Sequence, residues 1–252
     1  MNIIDFHAHL DDRWLGTPLP SCTAFLAGMD MCGVQSACVF SVMGLYEDCP
    51  GANDRLLAAV QAAPERLYPF AVADPKQGAA GVEEVARCLA NPLFRGVKMH
   101  PWLQAFAPAM VKESTVAIAR CAASHGVPVV LHDGTPPYAT TFQAAALARW
   151  VPEATIIAGH AGLSDYVHAA GRLARELANL HLCFCGPKAG ELGYLIEAAG
   201  VEKVLFGSDF GAATWPILAE RIDAVAAASL GAEALAAVLY GNAARLLATR
   251  CP

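Results

Sequence analysis

Short apolar runs alternate with longer amphipathic ones along the whole chain. Eight runs predict strands: residues 3–10 (IIDFHAHL), 36–42 (SACVFSV), 67–75 (LYPFAVADP), 95–101 (RGVKMHP), 127–134 (VPVVLHDG), 155–162 (TIIAGHAG), 180–186 (LHLCFCG) and 203–210 (KVLFGSDF). Most are near-continuous Val/Ile/Leu segments, the pattern of parallel strands buried on both faces. Helical periodicity fills the gaps. A helix follows the loop 11–20 behind a Ser21 cap, and another carries Leu56, Leu57 and Val60 on one face. A third stops at Gly126, where His125 suits the helix C-terminus. Phe142, Ala146 and Trp150 recur four apart in the next, and His168 reads as an ordinary residue of the one after. Two helices close the chain. The first has a Leu218, Ile222, Val225 stripe; in the second, Gly241 is expected to end one helical segment and Asn242 to cap the next.

Eight strands alternating with helices over 252 residues predict a (β/α)8 barrel, a TIM barrel forming one domain, 1–252. An open doubly wound sheet is the alternative. No Gly-x-Gly-x-x-Gly follows the first strand and no phosphate-loop motif occurs, so nucleotide binding has no support.

The polar residues change the picture, because they gather at strand ends. Strand one ends in His7 and His9, strand four in Lys98 and His100, strand five in His132 and Asp133, strand six in His160, and strand eight in Ser208 and Asp209. In a barrel these ends form one ring at the face where active sites are built. Each residue has a bland reading alone: a histidine bonded to backbone, an aspartate capping a turn, a lysine paired with a carboxylate. Taken together, several imidazoles and a carboxylate aimed at one point suit Zn2+ or a similar divalent ion. Such a site lowers the pKa of a bound water to about 7, and a nearby carboxylate or imidazole takes its proton.

Composition narrows the partners. Hydrophobic residues make up 56% and charged residues 16%, enough for a large core. A net charge of −6 without a basic cluster argues against nucleic acid. No apolar run reaches membrane-span length, so no membrane partner is expected. The nine cysteines read as small buried hydrophobes of a reduced, cytoplasmic protein, Cys183 and Cys185 included.

In order and spacing, "DFHAHL", "GVKMHP", "VVLHDG", "AGHAG", "VLFGSDF" and the closing "YGNAARLL" resemble the amidohydrolase superfamily. Within it they resemble the "amidohydrolase 2" group of metal-dependent hydrolases and related decarboxylases. The resemblance covers nearly the whole chain. It implies that His7, His9 and His132 bind the metal together with Asp209, which also handles the proton of the bound water. His160 is implied as a catalytic residue or a ligand of a second metal. Lys98 stands where binuclear relatives carry a carboxylated lysine; with His100 it either faces substrate or completes a second site. One zinc ion is the expectation, two the alternative. Gly211 follows "GSDF" where many relatives have proline, which bears on the local loop shape.

The expected function is therefore metal-dependent hydrolysis of a small amide, lactone or ester. The alternative is non-oxidative decarboxylation of an unsaturated or aromatic acid at the same site. A binding protein on a retired barrel would have lost ligands, and none is missing; a phosphoesterase would want more basic groups. Loops barely longer than a bare barrel needs imply a small substrate. Arg13, Trp14 and Trp102 lie on the functional face, Arg13 either as a carboxylate grip or as a solvated surface residue, and the tryptophans either as stacking surfaces for a planar substrate or as packing residues. A homodimer is open, and a neighbouring subunit could bring a further arginine.

Overall fold

The computed structural model describes residues 2–14, 16–19, 21–211 and 216–249. Eight parallel strands pair in chain order: β1 (Ile4–His9), β2 (Ser36–Phe40), β3 (Leu67–Val72), β4 (Gly96–Met99), β5 (Val129–Leu131), β6 (Ile156–Ala158), β7 (Leu180–Phe184) and β8 (Val204–Phe206). The ring closes between its ends. Ala8 bridges Phe210 in parallel, and the Asp209 N–H donates to the His7 carbonyl at 2.8 Å. The expected (β/α)8 barrel is the observed one.

Helices follow each strand: α1 (Cys22–Met31), α2 (Met43–Tyr46), α3 (Cys49–Val60), α4 (Ala79–Leu89), α5 (Lys112–Ser124), α6 (Thr141–Trp150), α7 (Leu163–Glu176), α8 (Glu191–Ala199) and α9 (Pro216–Ala226). Ser21 caps α1 as expected, accepting from the Ala24 N–H at 3.3 Å. The one-turn helix α2 and a small hairpin pairing Arg13–Trp14 with Thr17–Pro18 are additions to the expected elements. On α6 the four-residue recurrence does not mark the buried face. Phe142 is exposed, and Ala144, Ala145, Leu147 and Ala148 pack inward. Among the described residues no helix is long and apolar enough to cross a membrane.

Apolar side chains divide between two layers, as burial on both strand faces requires. One parity packs under the helices; the other fills the lumen with Phe6, Cys38, Phe40, Phe70, Ile157, Cys183 and Leu205. Gly96 is needed there, since a Cβ at that position would lie 2.3 Å from the Phe70 ring. The strand bottoms are sealed by the chain's last helical stretch, which runs from α10 (Ala232–Ala236) through a π-helical turn (Ala237–Gly241) into α11 (Asn242–Leu247). This corrects the expected break. Gly241 is right-handed helical (φ −59, ψ −42) and Asn242 caps nothing. The Asn242 amide instead donates to the carbonyls of Val201 and Val204, both at 2.8 Å, and pins the helix to the foot of β8.

Candidate metal centre and active site

Strict alternation along β1 would place Phe6 and His7 on opposite faces. A register shift between Asp5 and Ala8 changes that, so Phe6 fills the lumen while His7 and His9 still point into the mouth above it. Bulges re-aim side chains in this way beside active sites. The Asp5 carboxylate stabilises the irregularity. It accepts from the N–H of His7 at 3.1 Å and of Ser208 at 3.0 Å, and from the Ser208 hydroxyl. Burial pushes the Asp5 carboxyl up to about 7, against the lowering effect of those hydrogen bonds. Asp5 opens the "DFHAHL" motif, but nothing in the sequence pointed to its part in this irregularity.

The strand ends enclose a pocket of about 320 Å³, lined by His7, His9, Lys98, His100, His132, His160 and Asp209, with Val42, Leu45, Leu103 and Ile217 as its aliphatic wall. Seven of the nine polar strand-end residues therefore meet at one place, and Asp133 and Ser208 stand outside the lining. The tightest group is His7, His160 and Asp209, whose ligand atoms lie within 4.8 Å of one another. His9 Nε2 reaches Asp209 Oδ1 at 2.9 Å, and His9 Nδ1 is buried without a hydrogen-bond partner. His132 lines the same pocket. Its Nε2 lies 2.9 Å from the Thr135 hydroxyl, and its ring meets His160 edge-on at 4.4 Å between centroids. Thr135 was missed because it belongs to the loop after β5.

Backbone carbonyls fix the tautomers of two rings. His7 Nδ1 lies 2.9 Å from the Gly159 carbonyl and His160 Nδ1 lies 2.6 Å from the Cys185 carbonyl. A carbonyl only accepts, so each Nδ1 carries hydrogen and each Nε2 keeps a lone pair. His7 Nε2 then faces Asp209 Oδ1 at 3.4 Å, acceptor against acceptor, with only the Lys98 ammonium also 3.4 Å from that nitrogen. Such an electron-rich cluster of nitrogen and carboxylate donors, oriented by second partners, fits a divalent cation.

Electrostatics agrees with that arrangement. Burial, then the Lys98 charge, holds His7 well below the usual imidazole range. Burial works to raise the Asp209 carboxyl, but the His9 hydrogen bond and the surrounding imidazoles outweigh it and hold the group well below the usual carboxylate range. Burial opposes a charged His160, yet the Cys185 group and Asp209 prevail and its pKa is raised. Lys98, wholly buried under the Phe40 ring (4.4 Å to the centroid), is pushed by burial down to about 8.

Asp209 is held in the left-handed region (φ 64), a conformation that costs about 1 kcal/mol or more and recurs at functional sites. Its neighbours keep it there. Phe210 N–H donates to Ser208 Oγ at 3.0 Å, and His9 N–H donates to the Phe210 carbonyl at 2.7 Å. Gly211 is required by the same loop. Its φ is 127, and a Cβ would lie 1.7 Å from the His9 carbonyl.

Asp133, close by, is a strut. It accepts from Thr141 Oγ1 at 2.6 Å and from the N–H groups of His160 (2.6 Å) and Gly162 (2.8 Å), and so binds the loops after β5 and β6 together. Arg13 does not line the pocket. Its guanidinium pairs with Glu47 at 3.1 Å and Asp12 at 3.4 Å, which removes it as the expected carboxylate grip. Trp102 is half exposed at the rim, its ring 6.4 Å from His100. The side chain of Trp14 lies outside the described residues. The aliphatic wall was not legible in the sequence, because Val42 and Leu45 depend on the one-turn helix α2.

A family model described as Amidohydrolase (Amidohydro_2) matches residues 4–249. Among curated proteins none matches the chain. Solved structures share its fold. 5-Carboxyvanillate decarboxylase from Sphingomonas paucimobilis superposes with a TM-score of 0.76 at 17% identity, over 98% of this chain and 99% of that one. A probable 2-pyrone-4,6-dicarboxylic acid hydrolase from Acinetobacter baumannii, with citric acid bound, gives 0.73 at 18%, over 98% and 100%. 5-Carboxyvanillate decarboxylase from Novosphingobium aromaticivorans, complexed with manganese and 4-hydroxy-3-methoxy-5-nitrobenzoic acid, gives 0.72 at 16%, over 89% and 79%.

Proposed function

The chain belongs to the amidohydrolase family, whose members hydrolyse or decarboxylate small substrates at a divalent metal, and on that premise we propose that it is a hydrolase of a small amide, lactone or ester. The observation that carries hydrolysis over decarboxylation is the pocket's cation inventory. Gripping a substrate carboxylate calls for an arginine fork. Among the described residues lining the pocket the only Lys or Arg is Lys98, and Arg13 is engaged with Glu47 and Asp12. Hydrolysis needs only a positioned water, a polarised carbonyl and a proton carrier.

We take His7, His9, His132 and Asp209 as the residues that would hold one metal ion; His7 and Asp209 lie at ligand spacing together with His160, and His9 reaches Asp209. Nitrogen and oxygen donors favour zinc, although manganese is also compatible with such a set. When bound, the ion supplies Lewis acidity that polarises a carbonyl and acidifies a water. The chain's own groups do the rest. Asp209 is an ionised carboxylate that takes a proton at a carboxylate oxygen. His160 offers its bare Nε2 to carry that proton to the leaving group while Nδ1 stays tied to the Cys185 carbonyl. Lys98 offsets the negative charge of Asp209 from beneath. Val42, Leu45, Leu103 and Ile217 exclude water from one side of a cavity that admits only a small molecule. The free thiols of the eight described cysteines suit a reduced, cytoplasmic setting.

The test is metal analysis of protein purified without chelators, followed by assay of the metal-replete enzyme on small lactones, amides, esters and aromatic or unsaturated acids. Turnover of a lactone, amide or ester with about one metal per chain supports the reading. Carbon dioxide release from an acid, with no hydrolysis, assigns decarboxylation instead. Two metals per chain, the second lost in Lys98→Ala, would establish a binuclear site.

A further inference from the structure

We propose that His100 acts as a fixed, neutral hydrogen-bond donor through Nε2–H to the substrate oxygen that gains negative charge, and that it is not a metal ligand. This deepens the hydrolase reading and rests on it for the identity of that oxygen. The tautomer does not depend on it.

The assignment comes from the ring's backbone partner. The Leu103 N–H lies 3.2 Å from His100 Nδ1. A backbone N–H only donates, so Nδ1 is the acceptor and the ring hydrogen sits on Nε2. His7 and His160 are the reverse, because each directs Nδ1 at a carbonyl. One pocket thus holds two rings that present a lone pair and one that presents an N–H. Metal binding needs a bare nitrogen, and the bare nitrogen of His100 is already used. Moving the hydrogen to Nδ1 would set it against the Leu103 N–H, donor against donor.

The ring is also held rigidly. Gln104 Oε1 accepts from the His100 N–H at 2.8 Å, while Gln104 Nε2 donates to the Ala73 carbonyl at 2.9 Å. The Gln104 N–H returns to the His100 carbonyl at 2.9 Å. The imidazole lies flat on His132, 3.6 Å between centroids and 15° between planes. No hydrogen bond from Nε2 to another described residue competes with a substrate. A donor fixed before substrate arrives stabilises developing negative charge without reorganising.

Protein labelled with 15N-histidine, studied by long-range 1H–15N correlation and assigned with His100→Gln, tests the tautomer. Hydrogen on Nε2 of His100 and on Nδ1 of His7 and His160 is expected; hydrogen on Nδ1 of His100 overturns the proposal. Metal content is measured in parallel. His100→Phe and His100→Gln should both keep the wild-type metal per chain, and loss of an equivalent in either overturns it. With 4-nitrophenyl acetate as probe ester, kcat should fall about 100-fold or more in His100→Phe, whereas His100→Gln, which keeps an N–H donor, should recover most of it. Equal activity of the two variants would also overturn the proposal. If wild-type enzyme leaves every ester and lactone untouched, the hydrolase reading fails by itself, and the spectra and metal count still decide the role of His100.

Discussion

Polar side chains gather at both ends of the barrel, yet the two ends use them differently. At the floor, Asn242 gives its amide to the carbonyls of Val201 and Val204, Lys203 donates to those of Leu177, Ala178 and Leu180, and Arg245 donates to that of Glu202. Each reaches backbone carbonyls where a helix or strand ends. At the mouth the side chains also anchor to backbone, but their remaining atoms face one another: His7 toward Asp209 and Lys98, His9 onto Asp209, His132 against His100. Polar groups whose partners are all backbone act as struts. Polar groups that converge across a pocket hold bonding capacity for something else. The contrast predicts that mouth variants lose chemistry and keep the fold, while floor variants do the opposite.

The largest effect is expected at Asp209. Asp209→Asn keeps the shape but removes the charge that balances Lys98 and the imidazoles. It should lower kcat/KM about 1,000-fold, a general-base loss, and reduce bound metal, with only a modest fall in the unfolding midpoint from losing a carboxylate the folded site stabilises. A fall in the unfolding midpoint as large as the fall in activity would make Asp209 a strut and break the comparison. The pair His7→Ala/His9→Ala should leave a folded protein without metal by elemental analysis. Full occupancy in that variant would place the metal elsewhere.

Asn242→Ala is the matching experiment on the floor. It removes both amide hydrogen bonds, one of them to the buried Val204 carbonyl, at a cost of about 1–3 kcal/mol, or a midpoint roughly 3–10 °C lower for a chain of this size. Urea titration and a melt read the loss. Its kcat/KM should stay at the wild-type value, and a drop at temperatures where the variant is fully folded would show that the two ends are coupled.

Much of the mouth was legible because strand ends in a barrel converge whatever the loops do. Reading the polar residue at each C-terminal end was enough to bring His7, His9, Lys98, His100, His132, His160 and Asp209 into one pocket. What sequence could not supply was anything set by local backbone irregularity. The register shift that lets Phe6 and His7 share the barrel interior is held by Asp5, which opens the "DFHAHL" motif but carries no sign of that role in the sequence. Gln104 locks His100 from four residues away, and the wall at Val42 and Leu45 exists only because a single helical turn interrupts the loop after β2. The floor misled for a related reason. "GN" usually punctuates a helix, but here a π-helical turn carries the chain straight through Gly241, so Asn242 is free to reach β8. Arg13 looked like a substrate grip because its pairing with Glu47 joins residues 34 apart.

The smallest expected effect sharpens the comparison at its one ambiguous member, His181. It is a buried histidine at the foot of β7 and, like His9 at the mouth, has a buried Nδ1 with no hydrogen-bond partner among the described residues. Burial, then the charges of Lys203 and Arg245, push its pKa down from 6.5 to about 3. In the unfolded chain it protonates near 6.5. Between those values the unfolded state binds the extra proton, so folding stability falls as pH drops below about 6.5 and levels off near 3. The slope contributed by one such group is at most about 1.4 kcal/mol per pH unit. The mouth histidines His7, His100 and His132 are shifted in the same direction, so wild type alone cannot isolate the floor. Chelator-stripped wild type and His181→Leu should therefore be unfolded in urea from pH 7 to pH 4, the mouth contributing equally to both. The variant should lose stability less steeply, by up to that slope, and turn over its substrate at the wild-type rate once metal is restored. Parallel curves would mean that His181 takes up its proton in the folded barrel as readily as in the open chain, and that the floor, like the mouth, can accommodate a charge.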